Sequence, residues 1–167
     1  MAKIEQRITP MLWFDNQAEE AANYYVSIFK NSKVTNVSRY GDTGPGPKGS
    51  VMVAEFELDG QQFTALNGGP QFKFTEAISL VVNCENQEEV DYYWEKLSGD
   101  GGQEVVCGWL KDKYGLSWQV VPVRVFELLS DPATSDRVMA AVMEMKKLDL
   151  GKLEEAAAAK SSSVAAQ

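Results

Sequence analysis

Hydrophobic and polar positions along this chain switch repeatedly between a period of two and a period near 3.6, and each switch marks an element. Ile8 to Phe14 is short, apolar and carries Pro10, so it predicts a strand that starts there or lies at a sheet edge. Asp15 follows as a helix N-cap, with Ala18 and Glu19 in the first turn. Ala21, Tyr24, Tyr25, Ile28 and Phe29 then recur at helical spacing and form one face, until Asn31-Ser32 ends the helix. Val34 to Tyr40 predicts a strand, and Gly41 to Ser50 is too rich in Gly and Pro for regular structure. Val51 to Leu58 alternates, with Met52, Ala54, Phe56 and Leu58 on one side. Asp59-Gly60 is a hairpin signal leading into Gln61 to Asn67. The order is β-α-β-β-β.

That order returns further along. Ala77 to Asn83 predicts a strand, and Asn86 to Leu97 a helix with Val90, Tyr93, Trp94 and Leu97 on its apolar stripe. Gly99 to Gly102 breaks the chain; Glu104 to Trp109, Leu110-Lys111 and Ser117 to Pro122 supply the remaining strands. Setting Asp15 against Cys84 (84 − 15 = 69) matches Glu19 with Glu88, Tyr24 with Tyr93, Tyr25 with Trp94 and Ile28 with Leu97. At the later turn, Asp59-Gly60 with Thr64 matches Asp112 to Gly115 with Gln119 at a smaller offset (115 − 60 = 55). The second unit is therefore 14 residues shorter (69 − 55), and the Gly/Pro loop of the first accounts for the difference. A duplicated unit implies two similar half-domains burying one shared surface.

After Pro122 the pattern changes. Val125 to Leu129 predicts a short helical turn and Asp131-Pro132 a helix start, with Val138, Ala141, Val142 and Met145 as its stripe. Glu154 to Lys160 has high helix propensity, and Ser161 to Gln167 is expected to fray. The predicted fold class is α+β: two βαβββ modules forming a curved mixed sheet, plus a C-terminal helical extension. Residues 1–150 are expected to form a single domain, with modules at about 6–70 and 71–124 and the extension at 125–150; residues 151–167 make a helical to frayed tail. The extension is expected to pack outside the sheet or on a partner subunit.

Composition narrows the partners. Lys+Arg is 16 against Asp+Glu 24, a net charge of −8 that repels phosphate backbones and anionic lipid, so nucleic acid and membrane surfaces are excluded as expected partners. No apolar run approaches the roughly 20 residues that cross a bilayer, and Met1 to Arg7 lacks the apolar core of a signal peptide. Cys84 and Cys107 make no disulfide framework, which points to a cytoplasmic protein with reduced thiols. The chain contains no histidine, which removes the commonest general base and metal ligand.

A β-α-β-β-β unit present twice, with Asp-x-x-Gly-x-x-x-Gln near the end, resembles the vicinal-oxygen-chelate superfamily of glyoxalases, extradiol dioxygenases and bleomycin-resistance proteins. Trp13-Phe14-Asp15 through Glu19-Glu20-Ala21, Leu66-Asn67-Gly68-Gly69-Pro70, and Cys107-Gly108-Trp109-Leu110-Lys111-Asp112 to Trp118-Gln119 are similar to the PhnB-like subgroup. The resemblance covers about Ile8 to Pro122 and continues into Met145 to Leu153. It implies the glyoxalase/bleomycin-resistance fold with a cavity between the modules. It also implies metal ligands on the first and last strand of each module. By the repeat register these fall near Ile8, Thr64, Ala77 and Gln119, and Gln119 stands where relatives often carry a ligating Glu. None of the four is His, Asp or Glu, so no metal and no other cofactor is expected.

The candidate pocket residues are Gln119, Trp109, Ser79, Thr64, Asn67 and Cys107. Gln119 and Ser79 either orient a polar ligand against aromatic walls or satisfy one another within the core. Both cysteines read better as buried small hydrophobes than as nucleophiles, because no histidine is present to activate a thiolate. The adjacent pairs Glu19-Glu20 and Glu88-Glu89 read as solvated first-turn charge rather than catalytic carboxylates. The subgroup often bears a demethylubiquinone methyltransferase label. Asn67 to Pro70 follows a strand, yet no helix pattern follows it, so the loop-to-helix unit of a methyl-donor enzyme is not predicted. The sequence therefore predicts a small-molecule-binding protein without the usual metal; the alternative is a metal-independent or weakly metal-dependent enzyme. A homodimer is expected, since Met139, Met143 and Met145 have no evident core left to cover.

Overall fold

A computed structural model describes residues 6–159; the tail predicted to fray, Ser161 to Gln167, lies outside the described residues. The chain divides into two compact units, one ending at Phe74 and the other beginning at Thr75. The first contains β1 (Met11–Phe14), α1 (Ala18–Ile28), β2 (Lys33–Arg39), β3 (Val51–Leu58) and β4 (Gln61–Asn67). The second contains β5 (Ser79–Cys84), α2 (Gln87–Ser98), β6 (Gln103–Glu104), β7 (Trp109–Lys111) and β8 (Ser117–Pro122), then α3 (Arg124–Ser130), α4 (Ser135–Glu144) and α5 (Leu150–Ala158). Each unit folds a four-stranded mixed sheet, ordered β1-β4-β3-β2 and β5-β8-β7-β6, with its first and last strands parallel. The internal repeat is thus present in topology as well as in sequence.

In the first unit the helix stripe and the strand alternation meet. Ala18, Ala21, Ala22, Tyr25 and Ile28 of α1 are buried, as are Ala54, Phe56 and Leu58 of β3 and Phe63 and Ala65 of β4. Small alanines let the helix approach the sheet, and Phe56 stacks between Tyr25 and Phe63 at ring-centroid distances of 6.1 and 5.4 Å. Burying each of these large side chains is worth roughly 1.5–3 kcal/mol. Asp59 and Gly60 take φ of 45° and 84°, which is what a two-residue hairpin turn demands.

Several boundaries differ from the sequence expectation. The first strand starts at Met11, after Pro10, and leaves Ile8 83% exposed; the fifth starts at Ser79 and leaves Ala77 before it. Asp15 does not cap α1. Gln17 occupies the N-cap position without a side-chain bond, and the Ala18 N–H donates instead to Asn67 Oδ1 at 2.8 Å, from a strand 49 residues away in sequence. Residues 105–108 leave the second sheet, because Cys107 and Gly108 adopt φ of 61° and 81° and donate their N–H groups to Met145 O and Lys146 O. Asp131-Pro132 forms a turn, with the helix beginning at Ser135, and α5 begins at Leu150 under an Asp149 cap rather than at Glu154.

The helical extension builds a cluster of its own. Val125, Leu128, Val138, Val142, Leu148 and Leu153 pack with Val121 of β8. Arg137 ties the last two helices together, donating from Nε to Ala156 O (3.1 Å) and from Nη2 to Ala157 O (2.9 Å). Among the described residues no helix is long and apolar enough to cross a membrane.

Candidate functional site

The Asp-x-x-Gly turn before β8 is held by one buried carboxylate. Asp112 is 2% exposed; its Oδ1 accepts from the N–H groups of Tyr114 (2.9 Å) and Leu116 (3.1 Å), and its Oδ2 from Trp118 Nε1 (2.8 Å). Gly115 supplies the φ of 86° that closes the turn. This network fixes where β8 starts and which face each of its residues takes. Trp118 and Val120 are buried, together with Leu110 of β7 and Val82 and Cys84 of β5, while α2 buries Val90, Trp94 and Leu97. Gln119 therefore points to the opposite face.

Strand register then assembles that opposite face. Gln119 pairs with Val81 on one side and Trp109 on the other; Ser117 pairs with Ser79 and Lys111. Register partners share a face and stand about 4.5–5.5 Å apart at Cβ. Gln119 Nε2 donates to Ser79 Oγ at 2.9 Å, so the expected Gln119–Ser79 pair forms within one sheet, beside Trp109. Ser117 is 1% exposed, and its hydroxyl has no hydrogen-bond partner among the described residues. The Lys111 ammonium binds the exposed carboxylate of Glu76, and the hydrogen bond it donates holds Glu76 below the ordinary carboxylate range. Lys111, Ser117 and Glu76 were not singled out from the sequence, although Ser117 lies two residues before Gln119 in an alternating strand.

Thr64 and Asn67 belong to the first unit. Thr64 lies on the corresponding face of the first sheet, paired with Met11 and Glu55. Glu55 was also missed, though it stands opposite the apolar side of β3; its Oε2 accepts from Asn36 Nδ2 at 2.9 Å. Asn67 spends its side chain structurally, accepting from Ala18 N–H and donating from Nδ2 to Val51 O. It also walls a cavity of about 820 Å³ in the first unit, together with Asp15, Glu19, Glu20, Tyr40 and Gly68. Tyr40 anchors the Gly/Pro loop there, its hydroxyl donating to Asn67 O at 2.7 Å while Gly44 and Gly46 lie against its ring.

Cys107, with a left-handed backbone, packs on the helical cluster, where its Sγ lies 3.5 Å from Met143 Sδ. Cys84 is fully buried, and burial, reinforced by Glu89, pushes its thiol from 9.0 up to about 12. A thiol so disfavoured as thiolate is not a nucleophile at neutral pH.

The fold family implies a metal, and the donor chemistry can be tested against it. The strand positions level with Thr64 and Gln119 are Met11 and Val81, in place of the expected Ile8 and Ala77. A thioether, an alkyl group, a hydroxyl and an amide do not make a transition-metal set. Among the described residues no group of three or more His, Cys, Asp or Glu could hold an ion. The residues do not fit the group.

Residues 6–121 match the family profile described as 3-demethylubiquinone-9 3-methyltransferase. A PhnB protein from Bacillus cereus, whose name carries the same methyltransferase label, is 41% identical. That match covers 71% of this chain and 100% of the other, with a TM-score of 0.65. The chain belongs to this PhnB-like family. Protein PA1353 from Pseudomonas aeruginosa shares the fold at 20% identity, covering 70% of this chain and 96% of its own, with a TM-score of 0.57. A glyoxalase/bleomycin resistance protein from Albidiferax ferrireducens matches at 11% identity over 67% of this chain and 93% of its own, with a TM-score of 0.46. Comparison with functionally curated proteins gives no match. The PhnB-like chain is of the α+β class, with two four-stranded mixed sheets and a C-terminal helical extension. Its family-specific stretches divide the work. Asp15 to Glu20 and Asn67 to Gly69 wall the first unit's cavity, whereas Trp109 to Gln119 build the second sheet's donor-bearing face.

Proposed function

We propose that this PhnB-like protein binds a small, partly aromatic polar molecule on the Gln119–Ser79–Trp109 face, without a metal centre of the glyoxalase kind. The observation that carries this reading is the 2.9 Å bond from Gln119 Nε2 to Ser79 Oγ. It holds the amide in one orientation beside a flat indole, leaving Gln119 Oε1 and its second N–H for a ligand. Asn67 is committed to α1 and β3, and Cys107 packs on the helical cluster.

Methyl transfer is not part of the proposal. Asn67 to Pro70 does not open a helix, and Gly68 instead sits against the Trp13 ring, whose Nε1 donates to Gly69 O at 2.8 Å. A metal-independent enzyme on the same face is the second reading, favoured by the hydroxyl and ammonium groups beside Gln119. We also propose a cytoplasmic homodimer. Met139 and Met143, one turn apart on α4, are 46% and 60% exposed, and both cysteines are free thiols.

The test is a thermal-shift screen of small aromatic acids, amides and phenols on tag-free protein, followed by titration calorimetry of the best compound. Binding that falls at least tenfold in Gln119→Ala, with the melting temperature unchanged, supports the proposal. A library that shifts nothing overturns it. Substrate turnover lost in Gln119→Ala would select the enzyme. Stoichiometric metal by elemental analysis would remove the metal-free reading, and a monomer by sedimentation at micromolar concentration would remove the dimer.

A further inference from the structure

The Ser79–Ser117–Lys111 row holds three hydrogen-bond donors and no committed partner at its centre. Ser117 stands between the other two by register, 1% exposed, with an Oγ that no described residue satisfies. Buried hydroxyls almost always have partners, so an unpaired one on a proposed ligand face marks a bond reserved for something else. Ser79 accepts from Gln119 Nε2, which leaves its own hydroxyl hydrogen unused in that bond. Lys111 carries a positive charge at the end of the row, and the group it holds is a carboxylate, that of Glu76. Donors and one cation call for an acceptor bearing one negative charge.

We infer that the ligand carries a carboxylate, which accepts hydrogen bonds from the hydroxyls of Ser117 and Ser79 and from the Lys111 ammonium in exchange for Glu76, with its planar ring lying against Trp109. The inference rests on the ligand-binding reading of this same face and adds the chemical class. A single ammonium in a chain of net charge −8 suits a monoanion better than a phosphate dianion. Glu76 is the intramolecular competitor: its side chain is 63% exposed, so releasing it to water costs little.

Benzoate, benzamide and benzyl alcohol separate the two claims, since they share a ring and differ in the polar group. Titrations by calorimetry would use the full chain, Ser117→Ala, Lys111→Met and Glu76→Gln. Benzoate is expected to bind at least tenfold more tightly than benzamide. Ser117→Ala and Lys111→Met should each weaken benzoate about tenfold and leave benzamide unchanged, whereas Glu76→Gln should tighten benzoate. Ser117→Ala should melt at or above the parent temperature, because it deletes an unpaired hydroxyl. A melting temperature lowered by several degrees would reveal a protein partner for Ser117 and overturn the inference. Benzamide or benzyl alcohol binding as tightly as benzoate would overturn the carboxylate while sparing the ligand-binding reading. No binding by any of the three, with no hit in the wider screen, would remove both.

Discussion

Replacing Asp112 with Asn changes one atom and should expose what the Asp-x-x-Gly turn is for. The carboxylate is 2% exposed and accepts three bonds, at 2.9 and 3.1 Å from backbone N–H groups and at 2.8 Å from the Trp118 indole. Asparagine keeps the two backbone bonds through its remaining oxygen but turns an NH₂ toward Trp118 Nε1, so donor faces donor. One bond to a charged group is worth about 1.5–3 kcal/mol, so Asp112→Asn should cost about 2 kcal/mol. Asp112→Ala strands all three donors and should cost about 3–5 kcal/mol, less than three separate bonds because such losses are not additive. Urea unfolding followed by far-UV circular dichroism reads both values without depending on any one tryptophan. The decisive test is the cycle with Trp118→Phe. Phenylalanine removes the opposing donor, so Asp112→Asn in that background should cost roughly 1 kcal/mol less than in the parent. An Asn variant within about 0.5 kcal/mol of the parent, or a cycle with no coupling, would show that the turn is held by something other than this carboxylate.

Four further outcomes are expected. At pH 8 a thiol reagent should label Cys107 in the native protein and reach Cys84 only on unfolding; equal native rates would contradict its burial. Because the folded Cys84 thiol is raised from 9.0 to about 12, its contribution to stability is complete below pH 9 and is lost as the pH climbs toward 12. Arg137→Ala frees the Ala156 and Ala157 carbonyls at the end of α5, and should cost about 1–2 kcal/mol with faster amide exchange confined to that helix; unchanged exchange would mean the helix needs no such cap. Gly68→Ala would place a Cβ 2.2 to 2.4 Å from the Trp13 ring, which is itself anchored to Gly69 O, and should cost about 1–3 kcal/mol in a thermal melt; a neutral result would mean the ring moves freely.

The repeat, the element order and the strands β3, β4 and β8 were legible because they depend on local chemistry. Asp59-Gly60 is one of the few common pairings suited to two positive φ values, and alternation in Val51 to Leu58 leaves one face for the core. The helix stripes were legible for the same reason: Tyr25, Ile28, Val90, Trp94 and Leu97 recur at the helical period and are buried. Pro10 was a weaker guide, warning of a strand start yet unable to say that pairing begins one residue later.

Sequence by itself determined the duplicated α+β architecture and the absence of histidine, set by periodicity or by residue identity alone. Tertiary structure alone decided the rest, because each outcome hangs on contacts distant along the chain. Asn67 displaces Asp15 as the partner of the first helix because a strand end arrives beside Ala18. Cys107 joins the helical cluster where the carbonyls of Met145 and Lys146 accept from the N–H groups of Cys107 and Gly108. Ser117 and Lys111 become neighbours only through strand pairing, and the register that joins them is set by the buried Asp112 turn. Residue types decide which bonds a side chain can make; the fold decides which partners come within reach.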